Sequence, residues 1–179
     1  MAEFPRPTEG IAVTHFIVTS DVGRSRRFYA DVLGGEVLLA GEPTIVALAN
    51  SWIVINVGGP PTDDKPTVTL EPPHDPDHVS SFLNIRVADI NAVYEQWRAR
   101  GAEFLTPPTD RGAELRCYMR DPDGHLIEVG QTTMIPAQGS PGRSPLALVN
   151  SRPVPRARRA DPPLVEGERP GLPAILHTP

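Results

Sequence analysis

The sequence predicts an α+β fold built from two copies of one β-α-β-β-β unit, and three observations carry that prediction. THFIVTSDVGRSRRFYADVLGGEV, residues 14 to 37, is repeated as FLNIRVADINAVYEQWRARGAEF, residues 82 to 104: an apolar strand, an Asp, a helix, a Gly and a second strand. SWIVINVGG, residues 51 to 59, matches the strand in GHLIEVGQT, residues 124 to 132, at an offset of 72 residues that places Ile55 over Ile127, Asn56 over Glu128 and Gly58 over Gly130. Composition then breaks after Thr133 into a stretch with prolines every few residues and no aromatics, which cannot sustain a helix or a sheet ladder. The expected organisation is an N-terminal arm over residues 1–10, a duplicated domain over 11–133 and a disordered tail over 134–179. Within the domain the modules span 11–59 and 80–133, joined by a Pro- and Asp-rich linker over 60–79.

Each element has a local reason. Asp21 and Asp89 suit helix N-caps, because their carboxylates can accept from amides that have no partner in the first turn. Gly34 and Gly101 suit the left-handed residue that ends a helix. In the second helix Ile90, Val93, Tyr94 and Trp97 fall at i, i+3, i+4 and i+7 and form one stripe facing a sheet. Val22, Phe28, Tyr29, Val32 and Leu33 serve the first helix in the same way. EVLLA, TIVALA and WIVINV read as the strands after the first helix, and EFL, ELRCYMR and HLIEVGQ as those after the second, with DPDG as the hairpin turn. Thr67 to Leu70 reads as a short extra strand in the linker.

Composition narrows the function. A soluble mix of 39% hydrophobic and 22% charged residues, without an apolar run of 18, predicts neither membrane insertion nor secretion. The single cysteine, Cys117, suits a reducing cytoplasm. The formal net charge of -5 offers no basic face to displace counterions from phosphates, so nucleic acid is not an expected partner. A small molecule is. Neither a catalytic triad, a phosphate-cradling glycine loop nor a zinc Cys pair is present. Glu128 stands out: a carboxylate between Ile127 and Val129 is costly unless it lies on the solvent face or faces a cavity that uses it.

SDVGRSRRFYADVLGG in the first half, with RVADI and RDPDGHLIEVGQ in the second, resembles the vicinal oxygen chelate superfamily of glyoxalase I, extradiol dioxygenases, fosfomycin-resistance enzymes and bleomycin-resistance proteins. The resemblance spans roughly residues 11 to 133. It implies two modules joined as a half-open barrel, a homodimer, and in many members one divalent metal in the cavity. Four strand positions supply the ligands in such members: seven residues before each capping Asp, and on the last strand of each module. Here those positions are Thr14, Phe82, Asn56 and Glu128, with His15 one residue out of phase. Only Glu128 has a donor suited to zinc, nickel or iron.

The candidate site therefore centres on Glu128, as catalytic carboxylate or, together with His15, as metal ligand. His15 reaches the cavity only if a bulge shifts its strand, since alternate residues face opposite ways. Thr14, Asn56, Phe82, Asn84 and Arg86 are the expected ligand-binding residues, with Arg86 facing a ligand anion or pairing with Glu128. A four-residue DPDG turn would set Cys117 opposite Glu128 and Met119 opposite Leu126, adding Cys117 to the cavity. Beside a carboxylate its thiol suits packing more than nucleophilic attack. His125 is expected to be exposed, and prolines 72, 73 and 76 prevent His74 and His78 from forming a helical metal pair. Two functions compete: a binding protein with a degenerate metal site that holds a small polar or anionic organic molecule, and a metal-dependent glyoxalase-like lyase, isomerase or dioxygenase using Glu128 and His15.

Overall fold

The computed structural model describes residues 10–134, and the expected disordered tail lies outside them apart from Met134. Strands β1 (His15–Thr19), β2 (Glu36–Leu39), β3 (Thr44–Leu48) and β4 (Ser51–Val57) form one sheet in the order β1-β4-β3-β2. Strands β5 (Leu83–Arg86), β6 (Thr109–Asp110), β7 (Glu114–Arg120) and β8 (Leu126–Thr132) form the second in the matching order β5-β8-β7-β6. In each sheet the first strand runs parallel to the last, and the other pairings are antiparallel. Helix α1 (Val22–Arg27) follows β1, and helix α2 (Ile90–Ala99) follows β5. The duplicated β-α-β-β-β architecture is thus present. Among the described residues, no helix is long and apolar enough to cross a membrane.

The caps form as expected. Asp21 Oδ1 accepts from the Arg24 amide at 2.9 Å, and Asp89 Oδ1 from the Ala92 amide at 3.0 Å. Gly34 and Gly101 take φ of +83° and +100° just past the helices, where a Cβ would be strained. Helix α1 continues as a π-helical turn, Phe28–Val32, closed by the Leu33 amide donating to the Phe28 carbonyl at 3.1 Å. The wider turn buries the consecutive aromatics Phe28 and Tyr29 together, their rings edge to face with centroids 5.2 Å apart.

One apolar core joins the modules: Ile17, Tyr29, Val46 and Ile55 from the first pack in one cluster with Ile90, Trp97, Met119 and Ile127 from the second. Polar contacts from the DPDG turn reinforce it. Asp123 accepts from Thr19 Oγ1 at 2.5 Å, the Ser20 amide at 3.0 Å, Ser20 Oγ at 2.6 Å, Arg24 Nη2 at 2.9 Å and Ser25 Oγ at 3.2 Å. Asp121 accepts from the Asp123 and His125 amides within its own turn and from Tyr29 Oη at 3.1 Å. A motif read as a hairpin turn therefore also fastens one module to the other.

Three strand expectations need correction. EFL contributes only an isolated bridge between Phe104 and Met119, and the partner of β7 is instead Thr109–Asp110, because Pro107 and Pro108 lack the amide protons to continue a ladder. The expected linker strand reduces to one bridge between Gly59 and Leu70. The β7–β8 connection has five residues, Asp121 to His125, rather than four, since Arg120 pairs with Leu126.

Candidate functional site

That extra turn residue decides which side chains meet Glu128. Tyr118, not Cys117, is its cross-strand partner, and Met119 pairs with Ile127 rather than Leu126. Because side chains alternate, Glu114, Arg116, Tyr118 and Arg120 share the face of Glu128, while Leu115, Cys117 and Met119 point to the core. Cys117 is fully buried there, and burial pushes its thiol up to about 11. It is not a cavity residue.

The face of the second sheet turned away from the core is a polar floor. Glu128 is 5% exposed. Its Oε1 accepts from Asn84 Nδ2 at 2.5 Å and its Oε2 from Tyr118 Oη at 2.6 Å. That hydrogen bond, more than burial or the charge of Glu128, raises the Tyr118 phenol above its ordinary value, so Tyr118 stays a proton donor at neutral pH. Arg86 Nη1 and Arg116 Nη1 each stand 3.9 Å from Glu128. Both contact Glu114 more closely: Arg86 Nη1 donates to Oε2 at 2.7 Å and Arg116 Nη1 to Oε1 at 3.3 Å. Arg86 Nη2 also donates to Thr132 Oγ1 at 3.0 Å. The expected pairing of Arg86 with Glu128 is thus the longer of its two ion contacts. Arg116 lies over the Tyr118 ring at 5.6 Å from its centroid, and half-exposed Phe82 meets that ring edge-on at 6.2 Å.

Phe82 also lines a cavity of about 290 Å³ with Phe16, His15, His78, His125 and Leu126. His125 is half-buried rather than exposed. Its Nε2 donates to the Val18 carbonyl at 2.7 Å, and among the described residues its Nδ1 makes no hydrogen bond. Burial, and then the neighbouring His125, hold the His15 imidazole below its ordinary pKa.

The four positions that the resemblance assigns to a metal do not converge as a ligand set. Thr14 is exposed and precedes β1. His15 to Thr19 pair with Ile53 to Val57 without a bulge, so His15 keeps the face of Ile17 and is not redirected. Asn56 and Phe82 offer an amide and a hydrocarbon. Glu128, the remaining position, has both oxygens engaged by Asn84 and Tyr118. Among the described residues, no three His, Cys, Asp or Glu side chains are grouped to hold a metal ion. His74 and His78 instead bond Glu71 and Asp75, each at 2.6 Å. The donor set does not fit a zinc, nickel or iron centre.

Comparison with known proteins agrees with this architecture. The chain is 27% identical over 117 residues to the metallothiol transferase FosB of Staphylococcus epidermidis, covering 64% of this chain and 77% of that protein. Among solved structures, a glyoxalase/bleomycin resistance protein/dioxygenase from Nocardioides matches with a TM-score of 0.56 and 22% identity, over 79% of this chain and 92% of that one. TnmS3, an antibiotic binding protein from Streptomyces, matches with a TM-score of 0.50 and 19% identity, over 72% of this chain and all of that one. A family model matches residues 11–129, and with the duplicated module this chain belongs to the glyoxalase/bleomycin resistance protein/dioxygenase superfamily.

Proposed function

We propose that this chain is a binding protein that holds a small polar or anionic organic molecule against the polar floor of its second sheet without a metal. The observation that carries this is the state of Glu128: both oxygens already accept short hydrogen bonds, while the other three ligand positions offer no matching donor. A carboxylate so engaged orients its neighbours. It fixes the Tyr118 hydroxyl and the Asn84 amide, leaving the Asn84 carbonyl oxygen, half-exposed Phe82 and the outer guanidinium edges of Arg86 and Arg116 as recognition groups. An aromatic side chain beside fixed polar groups suits a small organic ligand with a ring and a polar or anionic end. The fold has a precedent in a protein described as antibiotic binding.

The metal-dependent alternative draws on the name of the FosB relative, and one experiment separates the two. Full-length protein is purified with and without chelator, its metal content measured, and a panel of small aromatic acids and amides tested for thermal stabilisation. Stabilisation by panel members that survives chelation supports the proposal. One transition metal per chain, lost in Glu128→Gln together with ligand response, overturns it in favour of a metal-dependent enzyme.

A further inference from the structure

Two arginines flank one glycine on the polar floor. In the strand register Gly130 of β8 is the neighbour of Arg86 on β5 and of Arg116 on β7. A Cβ at Gly130 would lie 2.1 Å from Arg86 Nη1 and 2.7 Å from its Cζ, so the Arg86 guanidinium rests on the bare backbone and crosses β8 to reach β7. Glu114 bridges the two arginines there, one oxygen to each. The two carboxylates of this group differ in how firmly they are held. The Glu128 side chain is 6% exposed and bonded to two neutral donors, whereas Glu114, at the first residue of β7, is 25% exposed and its side chain bonds only the two arginines among the described residues. Arg86 and Arg116 are 41% and 31% exposed. The Arg116 side chain makes one hydrogen bond among the described residues, the 3.3 Å contact to Glu114, which leaves most of its fork of donors without a protein partner there.

We propose that Arg86 and Arg116 form an anion-recognition pair on the polar floor and that Glu114 is a resident carboxylate, displaced when a ligand carboxylate, phosphonate or phosphate bridges the same two guanidinium groups. The inference rests on the binding function proposed above and names its ligand class. A bridging two-oxygen anion reproduces the contacts that Glu114 gives up, so exchange costs little contact energy, and Glu114 sets the threshold an anion must exceed. Neutral ligands, having no charge to replace it, leave Glu114 in place.

The test is calorimetric titration of full-length protein with phenylphosphonate and with benzamide as the neutral probe. Glu114→Gln is expected to bind phenylphosphonate roughly tenfold more tightly than wild type, with benzamide affinity unchanged, and Arg116→Met added to it should cancel the gain. A folded Glu114→Gln protein that binds phenylphosphonate no better than wild type, while benzamide still binds, overturns the role of Glu114 and leaves the proposed binding function standing. Failure of both probes to bind any variant overturns both. Should Glu114→Gln not fold, the wild-type protein labelled at arginine nitrogens and titrated with phenylphosphonate decides by NMR: movement of the Arg86 and Arg116 side-chain signals supports displacement, and unmoved signals overturn it.

Discussion

Replacing Asp123 should unfasten the two modules. Its side chain is 3% exposed and accepts five hydrogen bonds from residues 19 to 25 of the other module. A hydrogen bond to a charged group contributes about 1.5–3 kcal/mol, but these five do not add, because several donors have other partners once the carboxylate is gone. Arg24 is 43% exposed and regains water. Thr19 Oγ1 and Ser25 Oγ already lie 2.7 Å apart and can satisfy one another. The Ser20 amide and hydroxyl lose most. The expected net cost is roughly 3–4 kcal/mol for Asp123→Ala and about 2 kcal/mol for Asp123→Asn, which keeps one acceptor oxygen. Urea unfolding at pH 7 measures it as a lower midpoint at unchanged slope. The pH dependence follows from the same contacts. Burial alone would raise the Asp123 carboxyl, but the hydrogen bonds from Ser20, Thr19 and Arg24 outweigh it and hold the group well below its ordinary range. Its stabilisation is therefore complete above the unfolded value of about 4 and is lost as pH falls through the lower folded value. Asp123→Asn should flatten that acid limb. A loss under about 1 kcal/mol in Asp123→Ala, or an acid limb unchanged in Asp123→Asn, would refute the fastening role.

Asp89→Ala should cost about 1 kcal/mol through loss of the α2 cap, read as a lower urea midpoint with ligand affinity unchanged. Gly58→Ala should be far more damaging than Gly130→Ala: at Gly58 a Cβ meets the Leu70 backbone oxygen at 2.0 Å, whereas at Gly130 it meets the far end of the long Arg86 side chain, which can turn aside. Melting temperatures should order them so, with Gly130→Ala weakening phenylphosphonate binding instead. Cys117, fully buried with its thiol pushed up to about 11, should resist a thiol reagent until the protein is unfolded in urea. Glu128→Gln should cost roughly 1–3 kcal/mol, since the new amide turns a donor toward Asn84 or Tyr118, each of which now donates to a carboxylate oxygen.

The repeat made most of the fold legible. Caps at Asp21 and Asp89 and stops at Gly34 and Gly101 are local features, and local features survive folding unchanged. The match of Asn56 to Glu128 does not: Asn56 pairs with Val18, three residues before its capping Asp, where the second module pairs Gly130 with Arg86. The polar floor was half legible. Asn84, Arg86 and Glu128 follow from strand alternation, but Glu114, Arg116 and Tyr118 were missed for want of one turn residue. The signal was present in ELRCYMR itself, whose polar and apolar residues alternate with period two and put Tyr118, not Cys117, on the face of Glu128. The contacts of Asp121 and Asp123 were not legible, because their partners lie 92 to 104 residues away and no periodicity links a turn to a distant helix start.

The most direct test of metal-free binding on the polar floor is amide chemical-shift mapping of the full-length protein titrated with benzoate in the presence of EDTA. The largest shifts should fall on Phe82, Asn84 and Arg86 of the β5 segment and on Arg116, Tyr118 and Glu128 across the sheet, with saturation unaltered by the chelator. Shifts confined to other surfaces, or a response that EDTA abolishes and added metal restores, would contradict it.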